Sequence, residues 1–432
     1  MVAQKIIIKN PTGLHLRPAG NLCKEAMKFK SKVTFLYDEK NVANAKSVLS
    51  VLGACIKSGD EIELICNGED ERRHLNTLYS TSRMDSESST QGNRYTWRNI
   101  YMEKLLTIVV PAYNVEKYIK NCLDSFIDLS VLRSLEILIV DDGSTDSTAS
   151  LAHTYEQKYP YSFKVLSKEN GGHGSTINYA IPRATGKYFK VVDGDDWLDK
   201  SLLPQFIQLL KHTHSDVISN DFNLVDDRTK KVTKRRKAVS NSYHYNREWG
   251  FAEAVMDPLI TIHSMTIRTD VLRKNDIRVD EHCFYEDQEY ILYPIPYCTS
   301  ITFSPLPLYQ YRLGRRGQSV DIKMMIKRHD QHLKVLDALF EYNNVHGNLQ
   351  TYKKQYLERG IAEAVDDEYQ IFLAKGNDTR NVEQMKKFDE MLREEHPGVY
   401  QACSRKSVWM LRKTGFKIFP MAAWVYSRLR GN

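Results

Sequence analysis

Three apolar runs in the middle of the chain each end in a turn with acidic or polar residues. The runs are LLTIVV from Leu105, LEILIV from Leu135 and YFKVVD from Tyr188, and helix-like segments separate them. Strands that alternate with helices predict a parallel sheet with both faces covered. Because ligands bind beyond the carboxyl ends of such strands, the three turns are predicted to form a binding site at one edge of the sheet.

The composition is that of a folded protein. The chain has 432 residues, of which 42% are hydrophobic and 27% are charged, and these values exclude collagen-like, coiled-coil and wholly disordered chains. The length predicts two or three domains. The net charge is +7, but the basic stretch at residues 228–237 lacks interleaved aromatic residues. We interpret it as a solvated hairpin and expect no nucleic-acid partner.

The seven cysteines are scattered and form no CxxC pair, which argues against a zinc site or disulfide framework and indicates a reducing compartment. The N-terminus is too polar for a signal peptide. No apolar run is long enough to span a bilayer, so we expect a cytoplasmic chain. Residues 405–430 mix basic and large apolar side chains. They predict either a helix at an anionic membrane surface, on the inner face of the cell membrane, or a terminal helix docked on its own domain.

Changes in composition divide the chain into four parts. Residues 1–85 alternate short apolar runs with helix-like stretches, as in a small α+β domain, and the polar residues 86–104 predict a linker. Residues 105–320 hold the strand pattern, and residues 321–432 predict helices. Met102 would be a natural start of an independent protein, which suggests two joined genes; a single evolved two-domain protein is the alternative.

The segment GLHLRPA places His15 beside a predicted helix start, because Pro18 fits the first turn of a helix. A neutral imidazole is a nucleophile toward phosphate, and the N–H groups of the helix start together with Arg17 would stabilise the phosphorylated product. Ser47 is placed as the N-cap of a second helix, where a phosphate would meet the same dipole. Taken singly, a surface histidine and an ordinary N-cap serine would explain these residues.

Together with KSVLSVLGACIKSGDEIEL and NGEDE, these residues resemble the HPr phosphocarrier of the bacterial sugar phosphotransferase system over residues 1–71. The resemblance implies a βαββαβα open sandwich in which His15 accepts phosphate, Arg17 assists it and Ser47 is a regulatory phosphorylation site. It also implies two partners, the PEP-dependent enzyme I and HPr kinase. The last helix of the family should follow Glu71, although the sequence there is weakly amphipathic.

The acidic residues at the turns of the predicted sheet suit the transfer of a chemical group from a nucleotide diphosphate. Asp193 and Asp195 offer hard oxygen ligands to Mg²⁺ or Mn²⁺, which would neutralise the charge on the leaving diphosphate. Asp141 or Asp142 could accept hydrogen bonds from the base or ribose. A single DxD is a weak signal, whereas three such strand ends in this order are specific.

This pattern resembles the family-two glycosyltransferases of GT-A fold over about residues 105–319. The resemblance implies a site for a nucleotide-sugar, most simply a UDP-sugar. Four parts would surround it: a nucleotide-contacting loop, a base-contacting acidic pair, a glycine-rich loop with its helix, and a metal-binding DxD. His173 and Ile177 depart from the family pattern. The matching residues are, in that order, Pro111, Ala112, Tyr113 and Asn114; Asp141 and Asp142; Asn170 and Asn178; and Asp193 and Asp195.

The segment FYEDQE at residues 284–289 resembles the ED motif of the same family. Inverting transfer needs a carboxylate to take the proton of the acceptor hydroxyl, and the resemblance implies that Asp287 is this base with Glu286 as support. An acidic helix start favoured by the dipole is the alternative. His263, Arg312 and Arg316 match the acceptor side of the family, where the arginines would grip phosphate or an acidic acceptor; a solvated basic loop explains the arginines equally well.

We therefore expect an α+β open sandwich followed by an α/β GT-A domain with a C-terminal helical extension. The predicted function is an inverting glycosyltransferase that moves a sugar from a nucleotide-sugar to a hydroxyl of a glycan or lipid-linked acceptor. It would be fused to a carrier that is phosphorylated at His15. One alternative is a phosphorelay or regulatory protein whose glycosyltransferase-like half only binds ligand. Another keeps the enzyme active and makes the first domain a passive passenger.

Overall fold

The computed structural model divides into two compact units, Met1–Glu103 and Lys104–Asn432. It describes residues 2–8, 13–28, 30–38, 41–68, 104–254, 258–314, 318 and 321–429. Three sequence predictions lie outside the described residues: the helix expected after Glu71, the linker up to residue 103, and Arg316. The side chain of Arg17 is also outside this description.

The N-terminal unit is an antiparallel four-stranded sheet with two helices, in the strand order β1-β4-β2-β3. The register sets Ile6 opposite Ile62 and Phe35 opposite Leu64, and these four buried side chains share one core with α1 and α2. The order of elements confirms the predicted open sandwich as far as β4. The elements are β1 (Val2–Ile7), α1 (Leu16–Met27), β2 (Lys32–Tyr37), β3 (Asn41–Asn44), α2 (Val48–Gly53) and β4 (Glu61–Asn67).

The second unit is built on a mixed sheet of ten strands. Eight of them follow the order β12-β14-β10-β13-β8-β5-β6-β7, with β11 beside β10 and β9 beside β14. The neighbours β8, β5, β6 and β7 are parallel, as predicted from the three apolar runs. The strands are β5 (Leu106–Ala112), β6 (Leu135–Asp141), β7 (Phe163–Ser167), β8 (Tyr188–Val191), β9 (Trp197–Leu198), β10 (Val217–Asp226), β11 (Val232–Arg236), β12 (Glu248–Gly250), β13 (Met265–Arg268) and β14 (Ser300–Leu313).

Helices cover both faces of this sheet. Ile108 and Val110 belong to the apolar core on one face, whereas Val109 between them belongs to the core on the other, so both faces of β5 are covered. The helices within and after the strand region are α3 (Ile119–Asp124), α4 (Thr148–Lys158), α5 (His173–Ala180), α6 (Leu203–His212), α7 (Phe251–Ala254), α8 (Thr269–Lys274) and α9 (Asp287–Leu292).

The C-terminal helices share a core with the sheet. Leu339, Val365, Leu411 and Ala423 are buried in the same cluster as Val109. Among the described residues, no helix is long and apolar enough to cross a bilayer. These helices are α10 (Ile322–Lys327), α11 (His329–Val345), α12 (Thr351–Lys375), α13 (Thr379–Glu395), α14 (Pro397–Ala402), α15 (Lys406–Lys413) and α16 (Phe419–Leu429).

The long helix α12 packs directly against the short helix α9. Gly360 permits this approach, because a Cβ at this position would overlap with the side chain of Leu292. The first residue of α9 is Asp287, so α12 fixes the helix on which this carboxylate lies.

Candidate active site

The loops after β5 and β6 are tied together at one edge of the sheet. Asn114 adopts a left-handed conformation with φ 51°, and its side-chain oxygen accepts a hydrogen bond of 2.8 Å from the Thr145 amide. Its own amide donates to the Ser144 hydroxyl at 3.1 Å. Pro111 and Ala112 are buried within β5, whereas the side chain of Tyr113 is 50% exposed. Tyr113 and Asn114 are therefore the accessible residues of this loop.

Asp142 is buried, and its carboxylate holds the following glycine-rich loop. It accepts hydrogen bonds from the amides of Gly171 and Gly172, at 2.9 and 2.8 Å, and from the Lys168 ammonium at 2.7 Å. Gly172 has a φ of +86°, a backbone conformation that residues with a side chain rarely adopt. The carboxylate predicted to contact the base is thus engaged by the protein itself.

The other polar residues predicted around the nucleotide also bind protein groups. Asp141 is buried and accepts from the Ser144 amide at 3.2 Å, and the Asn170 amide donates to the Asp142 carbonyl at 3.0 Å. Asn178 exchanges two hydrogen bonds with the backbone of Val279, at 2.8 and 3.0 Å. Asn178 therefore joins α5 to the chain segment that leads to the FYEDQE motif.

The turn after β8 approaches the end of β5 closely. Gly194 donates its amide to the Pro111 carbonyl at 3.1 Å, and a Cβ at Gly194 would lie 2.9 Å from that oxygen. Only glycine fits at the centre of the DxD without a shift. This contact places Asp193 beside the loop that carries Tyr113 and Asn114.

Asp193 lies in a cluster with Asp196 and His263. One ligand atom from each of the three residues lies within 4.8 Å of the others. Asp196 is buried, and its carboxylate accepts from the Tyr309 hydroxyl at 2.8 Å and from the Arg312 amide at 2.7 Å. Asp195, which was predicted to pair with Asp193, belongs to the same turn but not to this group of three.

The electrostatics of the cluster favour a divalent cation. Burial, followed by the charges of Asp195 and Asp193, raises the pKa of Asp196 well above its ordinary value. Burial lowers the pKa of His263 to about 4, so its imidazole is neutral near pH 7 and can donate a lone pair. Crowded carboxylates with a neutral imidazole fit Mn²⁺ or Mg²⁺, because hard oxygen ligands suit both ions.

His173 bridges this cluster and the FYEDQE motif. Its Nε2 lies 2.9 Å from a carboxylate oxygen of Asp193, and its Nδ1 lies 2.6 Å from one of Glu286. Burial opposes the charged imidazolium, but the hydrogen bonds to Asp193 and Glu286 outweigh it and hold the pKa of His173 well above its ordinary value. Since both carboxylates accept, the ring carries a proton on each nitrogen.

Asp287 is half-buried at the first position of α9, next to the buried Glu286. Burial and the charge of Glu286 raise the pKa of Asp287 to about 6, although the charge of His173 acts in the opposite direction. A carboxylate with this pKa is ionised near pH 7 yet more basic than an ordinary aspartate. It is therefore suited to accept a proton.

Helix α11 holds the residues that precede this carboxylate. Tyr285 adopts φ 77°, in the left-handed region that bulky side chains avoid, and its ring packs edge-on against His332. The Phe284 amide donates to the Gln331 side chain at 3.1 Å, and the Arg328 guanidinium lies 3.4 Å from the centre of the Phe284 ring. The strained backbone before Asp287 is thus stabilised from outside the motif.

Arg312, which was predicted on the acceptor side, is buried and supports the acidic turn. Its guanidinium donates to the Asp195 carbonyl at 2.6 Å and to the Asp227 carboxylate at 2.8 Å. It also stacks over the rings of Tyr118 and Trp197. These contacts orient the turn that contains Asp195 and Asp196.

Three residues of this site had no assigned role in the sequence analysis. Asp196 directly follows the DxD, so its position in the sequence is a signal for it. His173 stood out only as a departure from the family pattern. Tyr309 gave no signal, because it reaches Asp196 through the pairing of β14 with β9.

In the N-terminal unit, His15 is the exposed N-cap residue of α1. Ser47 caps α2, and its hydroxyl accepts from the Ser50 amide at 3.3 Å. Both residues therefore occupy the helix starts that the sequence predicted for them.

Comparison with family models confirms both resemblances. Residues 2–81 match the model described as "PTS HPr component phosphorylation site". Residues 107–274 match the model described as "Glycosyl transferase family 2". The chain thus joins a segment that matches the HPr model to a segment that matches the family 2 glycosyltransferase model.

Curated relatives match the second of these segments. An uncharacterized glycosyltransferase, EpsJ of Bacillus subtilis, is 31% identical over 146 residues, which are 34% of this chain and 40% of that protein. The poly(ribitol-phosphate) beta-N-acetylglucosaminyltransferase TarS of Staphylococcus aureus is 34% identical over 113 residues, or 26% of this chain and 20% of TarS. The chain thus spans less than two thirds of the length of these relatives.

The fold is also found among solved structures. Residues 1–349 of S. aureus TarS in complex with UDP-GlcNAc superpose with a TM-score of 0.53 at 20% identity. The match covers 75% of this chain and 92% of that one. The similarity confirms the GT-A-like architecture of the second unit.

Proposed function

We propose that the second unit is an inverting glycosyltransferase that moves a sugar from a nucleotide diphosphate sugar to a hydroxyl group. The observation that carries this proposal is the bridge formed by His173. It holds Asp193 of the metal-ligand cluster and Glu286, the neighbour of Asp287, on one side chain. A donor-binding carboxylate and a candidate base are thereby kept at adjacent positions.

Asp193, Asp196 and His263 would hold the metal. A bound Mn²⁺ or Mg²⁺ would neutralise the charge that develops on the leaving diphosphate. Tyr309 and Arg312 orient the Asp196 carboxylate through the hydrogen bonds described above. The buried turn would thus be preorganised for the cation.

Asp287 would act as the base. Its carboxylate would take the proton of the acceptor hydroxyl while the hydroxyl oxygen forms a bond to the anomeric carbon. The bond to the diphosphate breaks on the opposite face, and the sugar configuration inverts. The charged His173 would hold Glu286 in place and limit the repulsion between the neighbouring carboxylates.

The proposed donor is a UDP-sugar, and the acceptor is a glycan or a lipid-linked glycan of a surface polysaccharide. Support for the donor comes from the solved S. aureus relative, which was crystallised with UDP-GlcNAc. Tyr113 is exposed beside the acidic turn, where its ring could contact the base.

For the N-terminal unit we propose a phosphocarrier role in the cytoplasm. His15 would receive phosphate from a PEP-dependent enzyme I, assisted by Arg17, and Ser47 would be the target of an HPr kinase. The exposure of His15 at a helix start supports this assignment.

The test is transfer or hydrolysis across a panel of nucleotide-sugars with Mn²⁺, comparing the wild type with Asp287→Asn and Asp193→Asn. Loss of a general base predicts a 10²–10⁴-fold lower kcat for Asp287→Asn with donor binding retained, by the usual order of such effects. Asp276→Asn is the matched control, since Asp276 is an exposed carboxylate of the same unit.

A different result would favour the binding-only alternative. If no donor is consumed although UDP with Mn²⁺ raises the melting temperature and His15 still accepts phosphate, the transferase proposal fails. The chain would then act as a phosphocarrier with a ligand-binding partner domain.

A further inference from the structure

The last two helices present the same outward pattern. On α15, Lys406, Trp409, Met410 and Lys413 follow the spacing i, i+3, i+4, i+7, which places them on one helix face. Trp409 is 58% exposed, and Met410 is 47% exposed. The Lys413 ammonium lies 4.6 Å from the centre of the Trp409 ring.

On α16 the spacing recurs with Met421, Trp424, Val425 and Arg428. Trp424 is 56% exposed, and the Arg428 guanidinium lies 4.4 Å from its ring centre. We call these outward residues of both helices the tryptophan face: Lys406, Trp409, Met410, Lys413, Met421, Trp424, Val425 and Arg428.

The opposite sides of both helices are docked on the protein. Val408 and Leu411 of α15 and Phe419 and Ala423 of α16 are buried in the core that these helices share with the sheet. The tryptophan face is therefore not an apolar surface that awaits docking onto its own unit. Among the described residues, 17 large hydrophobic side chains are exposed, and five of them lie on this face.

The charged residues within the C-terminal segment itself are all basic. Residues 403–432 contain seven Lys and Arg residues and no Asp or Glu. Arg405 pairs with Asp367, and the largely buried Arg412 pairs with Asp389. Lys406, Lys413, Lys417 and Arg428 are exposed and are available to an anionic partner.

We propose that the tryptophan face binds the surface of a bilayer that contains anionic lipid headgroups. Tryptophan rings favour the boundary between headgroups and acyl chains, because they combine a large apolar area with one polar N–H group. Flanking lysine and arginine side chains extend to anionic headgroups while their apolar stems stay in the boundary. The docked inner sides keep the outward residues of each helix exposed to such a surface.

This inference goes beyond sugar transfer and does not depend on it. Vesicle binding needs neither a nucleotide-sugar nor Asp287. Each Lys or Arg near an anionic surface contributes about fivefold to the partition coefficient, so loss of Lys406, Lys413 and Arg428 together predicts a decrease of about 100-fold.

The experiment is flotation of the full chain with vesicles of phosphatidylcholine alone or with 30 mol% phosphatidylglycerol (roughly −30 to −50 mV at the surface, as in anionic leaflets). We expect binding to the anionic vesicles only. Trp409→Ser/Trp424→Ser and Lys406→Gln/Lys413→Gln/Arg428→Gln should each abolish flotation. Since all five side chains are exposed, the variants should keep the wild-type melting temperature.

Two control variants test whether vesicle binding is specific to this face or is shared by other exposed basic and apolar side chains. Lys234→Gln/Arg236→Gln removes exposed cations from β11, and Leu129→Ser/Val345→Ser removes apolar side chains that are 79% and 75% exposed. Both should bind vesicles as the wild type does. The proposal is overturned if the wild type binds neither type of vesicle. It is also overturned if the control variants lose vesicle binding to the same extent as the variants of the tryptophan face. A dimer that dissociates in Trp409→Ser/Trp424→Ser without vesicle binding overturns it too, because the face would then join two copies of the chain.

Discussion

In the pH profile of the activity, the decrease on the acid side (the acid limb) should follow the protonation of Asp287. The base must be ionised, and burial together with Glu286 raises its pKa to about 6. The value of kcat/KM should therefore rise tenfold per pH unit below pH 6 and level off above it. At pH 5, about one tenth of the enzyme would hold the ionised base, against about nine tenths at pH 7.

Two substitutions should move this limb in opposite directions. Glu286→Gln removes a negative charge that raises the pKa of Asp287, so the limb should move to lower pH. His173→Gln removes a positive charge that lowers the same pKa, so the limb should move to higher pH. A charge at an effective dielectric constant near 20 contributes a few kcal/mol at about 4 Å, which corresponds to one or more pKa units.

The assay is initial-rate transfer between pH 4.5 and 8 (roughly the stable range of most proteins) at saturating Mn²⁺. Asp276→Asn should reproduce the wild-type limb, because this carboxylate is exposed and pairs with the exposed Arg278. If both substitutions shift the limb in the same direction, or leave it in place, the group that titrates is not Asp287. An acid limb near pH 4 would refute the effect of burial.

Three further outcomes test the site and its support. His263→Ala should raise the Mn²⁺ concentration for half-maximal activity at least about tenfold, measured by metal titration, if the imidazole is a ligand. Gly194→Ala should lower stability by about 1–3 kcal/mol in urea unfolding, because its Cβ would meet the Pro111 carbonyl, whereas Gly20→Ala, with open space around it, should not. Asp142→Ala should cost about 3–5 kcal/mol in the same measurement, since it removes the charge that pairs with the Lys168 ammonium and the acceptor of two amides; an unchanged midpoint would contradict its structural role.

The sequence predicts the elements well where one residue pattern decides them. The runs that became β5, β6 and β8 are mostly apolar, because both of their faces are covered by apolar cores. The helix starts at His15 and Ser47 follow from local chemistry alone.

The sequence does not predict which polar residue of a motif faces the ligand. Asn178 and Arg312 match family positions, yet the first binds the backbone of Val279 and the second binds Asp227. These partners lie roughly 85–100 residues away in the chain, and long-range pairs depend on strand order and packing rather than on local pattern. The link from Asp193 through His173 to Glu286 has the same origin.

The shared core has a consequence for how the protein is made. Val109 enters the ribosomal tunnel more than 300 residues before Ala423, although both belong to one apolar cluster. At a synthesis rate of roughly 5–20 residues per second, about 15–60 s pass between the synthesis of this strand and that of the last helix, and part of the apolar face of the sheet stays uncovered during this time. We expect the newly made strands to need a chaperone during this interval, and a chain truncated after Val345 to aggregate when its solubility is measured in a cell-free translation.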